Sequence, residues 1–387
     1  MRIYIHVCGI FVGLVTATLA GDKRARELGI EPGVMRTGEL NAITDVPGVR
    51  VGQVTLIEGD DVRTGVTAIL PHEGNVFLEK VPAAIHTGNG FGKLAGSTQI
   101  EELGNLESPI ILTNTLAVGT AMSVVVEHLL GLEGMQKVRS INAVVGETND
   151  GALNDIRSLP IRKEHVWQAI AQATTGPVEE GNVGAGTGTV AFGWKGGIGT
   201  ASRRLPPSAG GYTVGVLVQS NFGGVLQIDG VPVDRVMNRH LMRDAYGSAD
   251  GSCMMVVATN APVDARNLKR MASRAMLGLA RTGGIAANGS GDYVIAFSTA
   301  KELRIPHDQQ GLVNNAAALM RNEAMTPLFL ATLEAVEEAI LNSLFMAEDM
   351  TGHLGRRVHA MPVAEIMEII RAHRPDPPPG DKDEEVR

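Results

Sequence analysis

Asp250-Gly251-Ser252-Cys253 leads directly into Met254-Met255-Val256-Val257-Ala258-Thr259, and the second of these segments is short, apolar and rich in Val. A run of that kind reads as a β-strand. The period then changes. From Asp264 to Arg281, Leu268, Met271, Ala272, Ala275, Met276 and Leu279 recur at helical spacing, with Asp264 placed to cap the start and Gly283 to end it. A strand followed by an amphipathic helix is the building unit of mixed α and β layers.

The alternation continues outward in both directions. Gly48 to Leu56, Ser140 to Gly146, Tyr212 to Gln219 and Tyr293 to Ser298 read as further strands. Thr326-Pro327 opens a second helix with Pro in the tolerated first position, and Phe329, Leu333, Val336, Ile340 and Leu344 fall on one stripe. Leu116 to Leu130 reads as a third. The expected class is α/β.

The chain has 387 residues, of which 44% are hydrophobic, ample for a large buried core. Its net charge of −8, with no long run among the 34 Lys and Arg, argues against nucleic-acid binding. Glycines number 47 against only 4% aromatics, so many backbone positions need close approach or unusual dihedrals rather than bulky packing. Cys8 and Cys253 are the two cysteines; Cys8 lies in the leader, so processing would leave no internal disulfide.

That leader has the form of a secretory signal peptide over residues 1–20. Met1-Arg2 supplies a positive start, Ile3 to Leu19 is mostly apolar, and Thr18-Leu19-Ala20 makes a small-residue site before Gly21. A membrane anchor is the competing reading, against which the apolar stretch is short and interrupted by His6. Export to the periplasm follows. At the other end, Pro375, Pro377, Pro378 and Pro379 precede Asp381, Asp383, Glu384 and Glu385, a composition that cannot build a core, so a disordered tail is expected over 375–387.

Several familiar chemistries are excluded. There is no His-Glu-x-x-His and no Cys-x-x-Cys, and the histidines, including His86, His128 and His240, lack metal-ligand spacing, so no metal is expected. Gly88-Asn89-Gly90-Phe91-Gly92-Lys93 and Gly184-Ala185-Gly186-Thr187-Gly188 look superficially like phosphate loops. Neither completes a phosphate-binding pattern, and both are better read as turns that bring backbone against backbone or substrate.

Ser252 taken alone fits a turn that starts a strand. A serine hydroxyl needs activation before it is a useful nucleophile, and no G-x-S-x-G elbow is present. One route remains: if the chain is cut before Ser252, the freed α-amine, with an ordinary pKa of roughly 8, becomes its local base.

An ordered series of segments points to that route. Asn41-Ala42-Ile43-Thr44-Asp45-Val46-Pro47-Gly48-Val49 is followed by Gly88-Asn89-Gly90, Thr113-Asn114-Thr115 and Gly146-Glu147-Thr148-Asn149-Asp150-Gly151. Gly184-Ala185-Gly186-Thr187-Gly188, Gln219-Ser220-Asn221-Phe222-Gly223, Asp250-Gly251-Ser252 and Gly289-Ser290-Gly291-Asp292 complete the series. In this order they resemble the DmpA family of self-processing aminopeptidases, which includes L-aminopeptidase D-Ala-esterase/amidases and β-peptidyl aminopeptidases.

The resemblance implies a four-layer αββα sandwich of the type shared with ornithine acetyltransferases, related to the N-terminal-nucleophile enzymes. It implies autocleavage between Gly251 and Ser252, giving an α-subunit of residues 21–251 and a β-subunit of 252–374. The pairs would assemble as a homotetramer. Ser252 would be the nucleophile, Asn221 an oxyanion donor, Ser290 a proton relay and Asp292 its electrostatic support; no cofactor is needed. If extended, Ser290 and Asp292 point to one side and could reach Ser252 together. Glu147 would bind the free amino group of a short peptide or amide substrate.

Each of these residues also has a plainer reading: a strand-end turn for Asn221, a Gly-Ser-Gly-Asp turn for Ser290 and Asp292, a solvated loop carboxylate for Glu147. Two departures bear on substrate class. β-Peptidyl members carry Glu at the Asp292 position, and the L-aminopeptidase D-Ala-esterase carries a tyrosine where Asn149 stands, at a site expected to line the substrate. Asn149 moves the expectation toward the β-peptidyl branch. The competing classes are an ornithine acetyltransferase-like acyl transferase, which would use a threonine nucleophile and no leader, and a silent secreted binding protein.

Overall fold

A computed structural model describes residues 23–240, 242–243, 251–307 and 319–374. The leader 1–20, the tail 375–387 and Asp250 lie outside the described residues.

One sheet has five strands, and its order is best followed from the chain. A hairpin of β1 (Arg50–Glu58) and β2 (Val62–Leu70) continues through β6 (Ile110–Asn114) and β7 (Val144–Thr148) to the short β4 (Leu94–Ala95), in the order β1-β2-β6-β7-β4. The other sheet contains β3 (Glu79–Gly90), β5 (Asn105–Leu106), β10 (Ile198–Arg204), β11 (Thr213–Asn221), β12 (Ser252–Thr259), β13 (Gly291–Ser298) and β14 (Ile305–Pro306). Its order is β10-β11-β12-β13-β3-β14, with β5 also on β3. β12 and β13 run parallel; β11 and β3 flank them antiparallel. Two small hairpins, β8 (Val190–Ala191) with β9 (Trp194–Lys195) and β15 (Met350–Thr351) with β16 (Arg357–Val358), lie outside the sheets.

Alternation along the strands builds the layers. In β12, Met254 and Val256 meet Ile69, Ile110, Leu112 and Val144 of the first sheet, while Met255 and Val257 turn the other way toward the helices. A strand buried on both faces has no polar side to show, which is why the segment is continuously apolar. Of the helices, α1 (Ser97–Leu103) follows β4 and α4 (Val233–Val236) is a single turn. The outer face of the first sheet packs through Val54, Leu56 and Val66 on α2 (Val118–Leu130) and α3 (Lys163–Ala171). The second sheet's outer face carries α5 (Ala265–Arg281) and α6 (Thr326–Phe345), with α7 (Val363–His373) beyond them in the same core. Each large aliphatic side chain so buried contributes about 1.5–3 kcal/mol. The expected αββα sandwich is the observed architecture.

The expected elements are present with shifted bounds. Asp264 caps α5 by accepting from the Asn267 amide at 2.9 Å. Gly48 has φ +92° and turns the chain before β1 begins at Arg50. β7 starts later than Ser140 because the Asn142 amide donates to Glu107 at 2.9 Å instead of joining a ladder. The third helix opens with a 3₁₀ turn, Thr115–Ala117, capped by the Asn114 side chain.

α6 departs from a one-stripe amphipathic helix. Nearly every face is buried, including Glu334 and Glu338. Their charges are met by Arg203 at the end of β10, 3.1 Å from Glu334 and 2.7 Å from Glu338, and Arg26 donates to Glu338 at 2.9 Å. Close approach is possible because Gly199 lies under the helix: a Cβ there would sit 1.9 Å from the Ala339 carbonyl oxygen.

Candidate active site

One end of the sandwich gathers the chain's polar signals. β6, β7, β11 and β3 finish there, and β12 and β13 begin there. A cleft of about 450 Å³ opens between the two sheets at this end. Glu147, Thr115, Asn149, Asn221, Ser252, Lys93 and Gly92 are among its lining residues.

Ser252 is the first residue of β12, so it sits in the ladder itself and not in a preceding loop. Register pairs it with Asn221 on one side and Gly291 on the other. Its hydroxyl donates to the Gly251 carbonyl at 2.6 Å and accepts from the Gly291 amide at 3.2 Å. Ser252 is 5% exposed, held by the sheet with one edge on the cleft.

Asn221 is fixed at both ends of its amide. Its Oδ1 accepts from the Val190 amide at 2.9 Å, and its Nδ2 donates to the Asn149 carbonyl at 3.1 Å. Both supports are themselves anchored. Val190 pairs across the β8–β9 hairpin with Lys195, which is fully buried and donates to the carbonyls of Gly186 and Gly196 at 2.9 and 2.7 Å. Burial lowers the Lys195 ammonium to about 7, opposed by the charge of Asp150. Asp150, next to Asn149, is buried and raised to about 6 by desolvation, and accepts from Asn154 at 3.0 Å. The Gly184–Gly186 turn thus meets a lysine from within the protein. The Asn149 side chain closes its own turn by accepting from the Gly151 amide at 3.0 Å, so what it offers Asn221 is backbone.

Glu147 is not a solvated loop carboxylate. It lies on β7, 2% exposed, at the cleft wall. One oxygen accepts from the Lys93 amide at 2.9 Å and the other from the Thr115 hydroxyl. The Lys93 ammonium, 55% exposed, stands 3.9 Å away as a loosely held counter-charge. A buried carboxylate whose counter-charge is exposed and distant can exchange it for another ammonium at little structural cost.

Ser290 and Asp292 do lie on one side of the chain, joined by a 2.8 Å hydrogen bond from the Ser290 hydroxyl to Asp292 Oδ1. Register decides which side. Asp292 pairs with Cys253, and Cys253 packs in the helix-facing core, whereas Ser252 pairs with Gly291. Among the described residues no hydrogen bond links Ser290 or Asp292 to the Ser252 hydroxyl. Burial raises the Asp292 carboxyl to about 6, with the Ser290 hydrogen bond opposing. Its second oxygen is buried without a hydrogen-bond partner among the described residues. Burial, with Asp292 adding to it, also raises the Cys253 thiol well above its ordinary value, which makes it inert as a nucleophile.

Lys93 and Thr115 were not expected at the site, although they close the segments Gly88–Lys93 and Thr113–Thr115. Spacing gave no sign that either would meet Glu147. Tyr293 was likewise unassigned; its hydroxyl donates to the Gly92 carbonyl at 2.8 Å. No group of three or more His, Cys, Asp or Glu able to hold a metal ion occurs among the described residues.

Comparison with known proteins gives consistent matches. Peptidase family S58 matches residues 41–358. The β-peptidyl aminopeptidase BapA of Sphingosinicella microcystinivorans is 39% identical over 96% of this chain and 98% of its own. Two solved structures superpose closely. A β-aminopeptidase from a Burkholderia species has a TM-score of 0.84 and 40% identity over 91% of this chain and all of its own. The L-aminopeptidase D-Ala-esterase/amidase of Ochrobactrum anthropi, described as a prototype serine aminopeptidase and a variant of the Ntn hydrolase fold, has 0.82 and 38% over 91% and 99%.

Proposed function

Because this chain belongs to peptidase family S58 and is an aminopeptidase, we propose that it activates itself by cleavage at Gly251-Ser252 and then acts as a serine β-peptidyl aminopeptidase. The observation that carries this reading is the meeting of three groups in one cleft: a strand-initial Ser252, an immobilised Asn221 amide opposite it, and the buried Glu147 carboxylate.

In the self-cleavage step, Ser252 Oγ adds to the Gly251 carbonyl carbon, its proton passes to the departing nitrogen, and the C–N bond breaks to leave an ester. Water then hydrolyses the ester, releasing Gly251 as a carboxylate and Ser252 with a free α-amine. In turnover that amine takes the hydroxyl proton as Ser252 attacks the substrate carbonyl. Asn221 Nδ2 has a second proton beyond the one given to Asn149, and it donates to the oxyanion. Ser290 and Asp292 act on the main-chain side of Ser252, holding the proton on the freed nitrogen. Glu147 binds the substrate ammonium in place of Lys93, and water releases the acyl group. Acetylation of the substrate amine removes the charge that Glu147 needs.

We further assign residues 21–251 and 252–374 to the two processed subunits, residues 1–20 to an export signal for the periplasm, and the assembled form to a homotetramer of pairs. Support for export is the leader's composition alone. Initial rates on β-homoalanyl, L-alanyl and D-alanyl anilides, each free and N-acetylated, test the substrate reading. Fastest release from the free β-homoalanyl substrate is expected. A dominant D-alanyl rate would place the chain on the esterase/amidase branch instead, and equal rates on acetylated substrates would remove Glu147 from its role.

A further inference from the structure

Between Glu147 and Ser252 lie two glycines that face each other, Gly92 in the cleft lining and Gly291 behind it. A Cβ on Gly92 would lie 3.1 Å from Glu147 Oε1 and 3.0 Å from Gly291 Cα; a Cβ on Gly291 would lie 3.1 Å from Ser252 Oγ and 2.6 Å from Gly92 Cα. The pair therefore spans from the carboxylate to the hydroxyl. Three successive residues pin the Gly92 segment. The Phe91 amide donates to the Ser290 carbonyl at 3.3 Å, the Gly92 carbonyl accepts from Tyr293 at 2.8 Å, and the Lys93 amide donates to Glu147 at 2.9 Å. Such a pair cannot sink to make room.

We propose that Gly92, with Gly291 behind it, determines specificity for the length of the acyl unit, leaving room for the extra methylene of a β-amino acid between its ammonium on Glu147 and its carbonyl at Ser252. This rests on the aminopeptidase reading above and names what in the cleft sets its substrate class. A β-aminoacyl unit is longer than an α-aminoacyl unit by one carbon–carbon bond, about 1.5 Å. That added carbon must lie over the pair. A methyl on Gly92 crowds this space beside the anchor, so Glu147 Oε1 at 3.1 Å and Gly291 Cα at 3.0 Å must give by a few tenths of an ångström, while neither Ser252 nor Asn221 is among its nearest neighbours. The same methyl on Gly291 would lie 2.6 and 2.7 Å from the Gly92 backbone, closer than backbone can relieve, so Gly92 is the position at which the space can be titrated.

The test is kcat/KM for β-homoalanyl and L-alanyl anilides in the wild type, in Gly92→Ala and in Glu147→Asp, each as purified processed protein. In Gly92→Ala the β-homoalanyl value should fall at least tenfold more than the L-alanyl value. In Glu147→Asp the anchor is withdrawn by one carbon, and the L-alanyl value should fall more than the β-homoalanyl value. Equal losses on the two substrates, or no loss in Gly92→Ala, overturn the proposal while leaving the aminopeptidase reading intact. If Gly92→Ala does not accumulate as processed protein, the Glu147→Asp comparison decides. A wild type inactive on every free aminoacyl anilide overturns that reading and this inference with it.

Discussion

Asn221 and Ser252 are direct partners across the antiparallel β11–β12 ladder, so the last residue of one strand faces the first residue of the next. The pairing places an amide donor beside the serine without any loop to position it. Since Asn221 is tied to Val190 and Asn149, little reorganisation is needed as charge develops. Asn221→Ala, assayed as processed enzyme, should lose about 10²- to 10³-fold in kcat with KM within a few-fold. A proportional rise in KM with unchanged kcat would show ground-state binding instead.

Glu147→Gln keeps the shape and the Thr115 and Lys93 contacts but removes the charge. Truncating one member of a buried charge-assisted pair costs about 2 kcal/mol or more, which is roughly 30-fold in kcat/KM for substrates with a free ammonium. Discrimination between free and N-acetylated anilides should shrink by the same factor. Steady-state kinetics on both substrates measures it, and undiminished discrimination would contradict the assignment.

Asp292 supplies a pH dependence. Burial raises its folded pKa to about 6 from an ordinary value of 3.8, so the folded state favours the protonated form. The stability this gives is fully present below about 4 and is lost as pH rises through about 6. Under the proposed mechanism activity runs oppositely, because a charged Asp292 would support the ammonium of Ser252. The kcat/KM profile should therefore have an acid limb below about 6, because the freed ammonium draws the carboxyl back down, and Asp292→Asn should abolish that limb. Asp292→Glu should retain it. An unchanged limb in Asp292→Asn would assign it to another group.

The buried cluster under α6 should dominate stability. Arg203 answers both Glu334 and Glu338, and Arg203→Met leaves two buried carboxylates with fewer partners. Breaking such a pair costs about 3–5 kcal/mol. Equilibrium denaturation of the variant should show a loss of that size. A loss near zero would mean that Arg26 and Asn41 suffice to hold Glu338.

Much of this structure was legible because two-sided burial makes strands such as Met254–Thr259 continuously apolar and α5 cleanly periodic. β2 was hidden for a different reason. Arg63, Thr64, Gly65 and Thr67 break its apolar pattern, yet it is buried because the polar groups are answered by Asn154, Asn114, Thr113 and the Gly184–Gly186 turn. α6 misled in the opposite sense, since Glu334 and Glu338 face a buried arginine and not solvent. Within the site, Ser252, Asn221 and Glu147 were found through their place in an ordered series of segments, and the cleft brings the three together. The side taken by Ser290 and Asp292 could not be read from period two, because it depends on the register of β13 against β12. Lys93 and Thr115 were silent for the same reason: their meeting with Glu147 is a long-range contact that local pattern does not encode.

The mechanism requires Ser252 to become a chain terminus, and N-terminal sequencing with intact-mass analysis of the purified, active protein tests that most directly. The expected result is two fragments, the smaller beginning at Ser252, with Ser252→Ala remaining one uncut and inactive chain. Full aminopeptidase activity in a single uncut chain, or the same two fragments from Ser252→Ala, would contradict it.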